Sequence, residues 1–312
     1  MEILTMTTNG KGRCNHIPRQ NNNETADEFI KRISKDLLNQ ESDNEEDKIL
    51  NLSNSEKLDM VNSHKNLDIL VNDENCVVRK AVAEQGYGLE KLINDDDATV
   101  RAAVAKQGYG LDRLVNDRSW IVRTVVAEQG YGLEKLVNDR DFYVRAAVAR
   151  QGYGLEKLIN DYPNVRVAVA KQGYRLDKLV NDEDWYVRIA VAEQGYGLDR
   201  LVNDKDPDVR KTVARQGYGL DRLVDDENWQ VRAAVAKQGY GLDKLVDDEE
   251  PDVRIAVARY GYGLEKLIDD ENWLVRKAVA EQGYGLEKLI NDRDGEVRKI
   301  VNEFLNKKEN QI

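Results

Sequence analysis

From Val78 onward the apolar residues fall into a pattern that keeps returning: Val-Arg-x-Ala-Val-Ala, then Gln-Gly-Tyr-Gly, then Leu-x-x-Leu followed by Val or Ile. In the stretch Asn181 to Val202, stepping about 100° per residue puts Val187, Ala190, Val191 and Gln194 on one side of a helix, the expected core face. Ala192 falls to the flank. That slot is alanine in all ten complete copies, which predicts close approach of neighbouring backbones. Trp185, Tyr186, Ile189 and Glu193 collect on the outer side. Asp184 is placed as the N-cap, with Asn75, Asp97, Ser119, Asp141, Asp206, Asn228, Asn272 and Asp294 as its equivalents. Gly195 is the left-handed stop. Leu198, Leu201 and Val202 then make one more turn, short or 3₁₀ in character.

The Val-Arg dipeptide occurs eleven times between Val78 and Arg298, every 22 residues except for one 21-residue step from Val144 to Val165. A fixed period of that size marks a stacked array whose units touch only their neighbours. The fold expected is therefore all-α: a right-handed α-solenoid of about ten 22-residue repeats, each an α-helix plus a short α/3₁₀ turn, with degenerate end caps. The organisation expected is a flexible tail at 1–25, a short amphipathic helix at 26–40, an acidic linker at 41–54, and a repeat solenoid at 55–304. Its N-terminal cap is placed at 55–73, where Glu56-Lys57 fills the Val-Arg slot and His64-Lys65 the Gly-Tyr slot. Its C-terminal cap is placed at 297–304, and a polar tail closes the chain at 305–312.

The repeat V-R-x-A-V-A-x-Q-G-Y-G-L-[DE]-[KR]-L-[VI]-[ND]-D resembles the leucine-rich repeat variant family and, more broadly, HEAT repeats, over roughly residues 66–304. The resemblance implies an α-helix stacked with a 3₁₀-helix in a superhelix, and a binding scaffold rather than an enzyme. Members of that family can carry a cysteine-ligated iron–sulfur region, but this chain lacks the cysteines for it. Only Cys14 and Cys76 are present, and with His16 and His64 they form no metal-binding spacing.

Charge narrows the partner only a little. The net charge is −11, with 34% of residues charged. Residues 1–75 hold fifteen acids against nine bases, and residues 76–312 forty-three against thirty-eight, so the array is nearly balanced. That argues against a simple basic groove for nucleic acid. No apolar run approaches a membrane span, and no signal-peptide core opens the chain. A cytoplasmic setting is expected. Gly10-Lys11-Gly12 lacks the spacing of a phosphate loop. Neither histidine stands where a nucleophile could use it, so no catalytic residue and no cofactor is assigned.

Columns that never vary are expected to serve the stack. Arg79, Arg101, Arg123, Arg145, Arg166, Arg188, Arg210, Arg232, Arg254 and Arg276 are read as a structural ladder. Their expected partners are aspartates six residues earlier, from Asp73 through Asp95, Asp117, Asp139, Asp161, Asp182, Asp204, Asp226, Asp248 and Asp270, the spacing falling to five at Asp161–Arg166. The alternative is a row of phosphate ligands. Ten tyrosines, Tyr87 to Tyr284, are read as inter-repeat packing with the hydroxyl at the surface, the alternative being an aromatic platform.

The variable column is the candidate site. Two positions before Val-Arg stand Trp120, Phe142, Trp185, Trp229 and Trp273, which account for all four tryptophans, with Pro163, Pro207 and Pro251 between them. With Tyr143, Tyr186 and Ile189 they form either a hot-spot stripe for another protein or local lids over adjacent helix starts. The function expected is a non-enzymatic protein-binding scaffold. The rival readings are an acidic decoy that blocks a nucleic-acid-processing enzyme, and nucleic-acid binding through the Arg, Lys and Tyr columns.

Overall fold

A computed structural model describes Thr25, residues 28–32, Ser34 and residues 46–309. The expected tail lies, apart from Thr25, outside the described residues, as does most of the helix placed at 26–40. Residues 28–32 are helical, opened by reciprocal bonds between Thr25 and Glu28 at 2.9 and 3.3 Å. From Asn54 onward the described residues form twenty-three helices and no strand. Long helices, nearly all of nine residues, alternate with helices of four, as in Trp185–Glu193 and Leu198–Leu201.

One repeat shows why. Asp184 accepts from the Tyr186 N–H and caps the helix start. At the other end Gly195 takes φ +71°, so that its own N–H reaches the Ala192 carbonyl and the Tyr196 N–H the Val191 carbonyl, a Schellman-type stop. Gly197 then turns the chain again at φ +62°. It also has to be small, because a Cβ there would lie 2.5 Å from Val180 of the preceding repeat. The short helix makes two i→i−4 bonds, Leu201 to Gly197 and Val202 to Leu198. They are flanked by i→i−3 bonds at Arg200 and Asn203, so it is one α-turn with 3₁₀ ends.

The array falls into two compact units, the first ending at Gln129 and the second beginning at Gly130. Within each, a long helix packs against the long helices before and after it, and each short helix fills the gap beside them. This serial side-by-side packing is that of an α-solenoid. Val187, Val191, Ala190, Ala192, Leu201 and Val202 and their equivalents form the core, most of them almost fully buried. Burying each Val or Leu contributes roughly 1.5–3 kcal/mol, and only the neighbouring repeats supply the cover.

Three expectations need correction. Gln194 is exposed, because the helix ends at Glu193 and its rotation is no longer that of the core face. Part of the segment read as an acidic linker is ordered: residues 46–50 are helical and Ile49 is buried. The last helix, Gly295–Glu309, runs through 305–309, since nothing after Phe304 stops a helix. Among the described residues no helix is long and apolar enough to cross a membrane.

Candidate interaction surfaces

The arginine column is consumed inside the array. In Arg79, Arg101, and Arg145 through Arg276, Nε donates to an aspartate Oδ2 at 2.6–2.7 Å and Nη2 to the same carboxylate's Oδ1 at 2.6–3.0 Å. This is the planar two-pronged match a guanidinium makes with a carboxylate. The partner differs from the expected one. It lies sixteen residues after the arginine, in the next repeat, as in Arg188–Asp204. The aspartate six residues before the arginine offers only its backbone carbonyl, which Nη1 reaches, as from Arg188 to Asp182 at 2.8 Å. Each such aspartate thus meets two arginines, one at its carboxylate and one at its carbonyl, while its Oδ1 also accepts a loop N–H.

Sequence spacing carried this signal. The 21-residue repeat shortens the aspartate-to-arginine interval to five at Asp161–Arg166, yet Arg145–Asp161 and Arg166–Asp182 both remain at sixteen. Lys57–Asp73 keeps the same interval at the first rung, with Nζ 2.7 Å from Oδ2 and both side chains buried. Burial pushes Asp95, Asp117, Asp161 and Asp248 up, but the guanidinium and the loop N–H outweigh it and hold each below its ordinary value. At Asp292 the Arg276 hydrogen bond is the larger influence and has the same outcome.

Two further columns tie neighbours at the surface. Gln107, Gln172 and Gln238 donate from Nε2 to a carbonyl at the end of the preceding long helix, at 2.9, 3.0 and 3.3 Å. Short-helix lysines reach back nineteen residues, as in Lys288–Asp269. The tyrosines hold one uniform pose, with nine of the ten between 41 and 43% exposed and Tyr174 less so.

The variable column lies at the starts of the long helices. In the first unit Trp120 is 41% exposed. In the second, Trp273 is exposed, while Phe142, Trp185, Trp229 and Ile189 are half-buried. The residue after the aromatic position projects further: Tyr143, Tyr186 and Leu274 are 43, 58 and 41% exposed. Trp185 and Tyr186 stack at 3.6 Å between ring centres, and Phe142 lies 4.3 Å from Tyr143 and 5.4 Å from Tyr162. Trp185 and Phe142 therefore lie against the next residue of their own helix starts, and the column keeps part of its aromatic surface exposed. Tyr162, one position before Pro163, belongs with this column. The one-residue deletion beside Pro163 brings its ring onto Phe142 and beneath the Arg145 guanidinium, 6.0 Å from the ring centre.

No protein-family model matches the chain, and no curated protein is significantly similar to it.

Proposed function

We propose that this chain is a non-enzymatic binding module that holds a protein partner against its Trp-bearing helix starts. The observation that carries this reading is the division of labour among columns. The arginines and their aspartates are spent on internal pairs, whereas the aromatic column varies from rung to rung and keeps Trp273, Tyr186, Tyr143 and Leu274 at the surface. Partly exposed, stacked aromatic side chains lose little conformational entropy on binding and contribute large contact areas. The same observation weakens phosphate binding by the arginine column, because each paired guanidinium already meets a buried carboxylate. A scaffold role accords with the likeness to leucine-rich repeat variant and HEAT repeats, and a cytoplasmic setting accords with the free Cys76 thiol.

The test is affinity capture from native lysate with mass spectrometry, comparing the full chain with its Trp185→Ala, Trp229→Ala, Trp273→Ala triple variant. Specific partners should be lost from the variant while its helical circular dichroism persists. Recovery of the same partners by both proteins would remove the stripe from consideration.

A further inference from the structure

The helix starts of the second unit are patterned in charge as well as in aromatic content. From residue 185 to 274 the first two helical positions read Trp185-Tyr186, Pro207-Asp208, Trp229-Gln230, Pro251-Asp252 and Trp273-Leu274. Aromatic knobs thus stand on every second rung. With neighbouring helices about 8–10 Å apart, successive knobs lie roughly 16–20 Å from one another. The loops entering these helices present Glu183, Lys205, Glu227, Glu249 and Glu271, four acids against one base.

The carboxylates of these glutamates serve the stack only weakly, although their backbone carbonyls accept from the next ladder arginine. The Glu183, Glu227 and Glu249 side chains are 88, 89 and 86% exposed, and each carboxylate touches only the rim of a ladder arginine, at 3.5–3.8 Å. Each of those arginines already pairs with a buried aspartate, so the outer carboxylates keep most of their charge for whatever approaches. Asp252 adds another exposed acid, whereas Asp208 is engaged by Lys211. The face therefore combines π surfaces with negative charge, the chemistry that attracts arginine and lysine side chains.

We infer that this face receives a basic protein segment lying across several rungs, its cations over the Trp185, Trp229 and Trp273 rings and against Glu227, Glu249 and Glu271. The inference rests on the Trp face being the binding face, and it adds the chemistry of the partner.

Because every tryptophan of the chain lies in this one column, intrinsic fluorescence reports on the surface directly. The full chain carrying Trp120→Phe, so that only the three second-unit tryptophans emit, is titrated with a nine-arginine peptide at physiological salt. A saturable emission change is expected. The Glu227→Lys, Glu249→Lys, Glu271→Lys triple should weaken it about tenfold or more. The triple Glu134→Lys, Glu156→Lys, Glu265→Lys, with the same change in net charge but on the short helices, should weaken it less than about threefold. Glu→Gln at positions 227, 249 and 271 should give an intermediate loss, and supplies the comparison if the charge reversal impairs folding. A nine-glutamate peptide should leave the emission unchanged.

Absence of any response to nine arginines, equal losses in the two lysine triples, or an equal response to nine glutamates would each overturn the inference. A captured partner that depends on the tryptophans but binds through an acidic or neutral segment would overturn it too, while leaving the protein-binding reading intact. Capture indifferent to the tryptophans would remove both.

Discussion

Replacing Arg188 with methionine tests the ladder at one of the well-enclosed rungs of the second unit. The side chain makes four hydrogen bonds: to Asp204 Oδ2 at 2.6 Å, Asp204 Oδ1 at 2.8 Å, the Asp182 carbonyl at 2.8 Å and the Glu183 carbonyl at 3.0 Å. Arg188 and Asp204 are 6 and 8% exposed as side chains. After the substitution the Asp204 carboxylate keeps only the Asp206 N–H, 2.9 Å from Oδ1. Removing one member of a buried pair costs about 3–5 kcal/mol, most of it the isolated charge left behind. Asp204→Asn removes that charge and keeps an oxygen for the Asp206 N–H. The double variant should therefore lose less than the two single losses combined, by about 2 kcal/mol. Urea unfolding followed at 222 nm measures the cycle. Hydrogen exchange should show residues 182–210 losing protection before distant rungs, because stability in such an array is local. A loss under about 1 kcal/mol for Arg188→Met, or strict additivity in the cycle, would refute the view that this pair ties one repeat to the next.

Acid should act on the same ladder. Asp95, Asp117, Asp161, Asp248 and Asp292 are held below 3.8 in the folded chain, so their stabilisation is complete above that value and is lost as the pH falls through their folded values. The urea midpoint should hold steady between about pH 7 and 5 and drop below about pH 4, and a flat profile down to about pH 2.5 would contradict this. Gly195→Ala should cost about 1 kcal/mol for its left-handed φ alone, since nothing lies within 4 Å of the added carbon. Gly197→Ala should cost about 1–3 kcal/mol more through contact with Val180, and equal losses in urea melts would deny that contact. Arg175 stands at φ 49° where other repeats place glycine, and its ion pair with Asp177 is exposed, so Arg175→Gly should raise stability by about 1 kcal/mol in the same assay. Ala192→Leu, at a fully buried helix contact, should cost about 1–3 kcal/mol or more by overpacking, and a neutral result would mean that the neighbouring helices are not closely apposed there.

The helices, their glycine stops and their caps, apart from Ser119, whose side chain makes no cap bond, were legible in the sequence because each rests on residues close together in the chain. Asp184, Gly195 and Val187 announce their roles through spacing alone. What failed was the choice between two intervals. Asp182 and Asp204 lie six residues before and sixteen after Arg188, and spacing alone points to the nearer one as the side-chain partner. Local spacing cannot tell a carbonyl contact from a carboxylate contact, because the difference depends on how the chain folds back through the short helix. The exposure of Gln194 was hidden for a related reason: a helical projection holds only while the helix lasts. The aromatic column was visible as variation, but its depth was not. Whether Trp185 stands free or lies against Tyr186 is decided by rotamers that a single sequence does not specify.

The sixteen-residue interval also explains where the array tolerates change in length. Between an arginine and its aspartate the chain completes the long helix, both glycine turns and the short helix, and the guanidinium–carboxylate fork fixes the distance between the ends of that span. A deletion inside it would pull the fork apart or displace Leu201-type core residues. Between one aspartate and the next arginine the ladder holds the backbone through the Nη1 contact and the loop N–H on the aspartate Oδ1, and both are met one residue nearer, by the Asp161 carbonyl for Arg166 and by the Tyr162 N–H for Asp161 Oδ1, each at 2.7 Å. The one-residue deletion of the 21-residue repeat falls in that segment, and so does every member of the Trp, Phe and Pro column. The segment that the ladder does not clamp is thus the one free to vary in composition and length. Side chains can change there without disturbing the fork that holds each rung to the next.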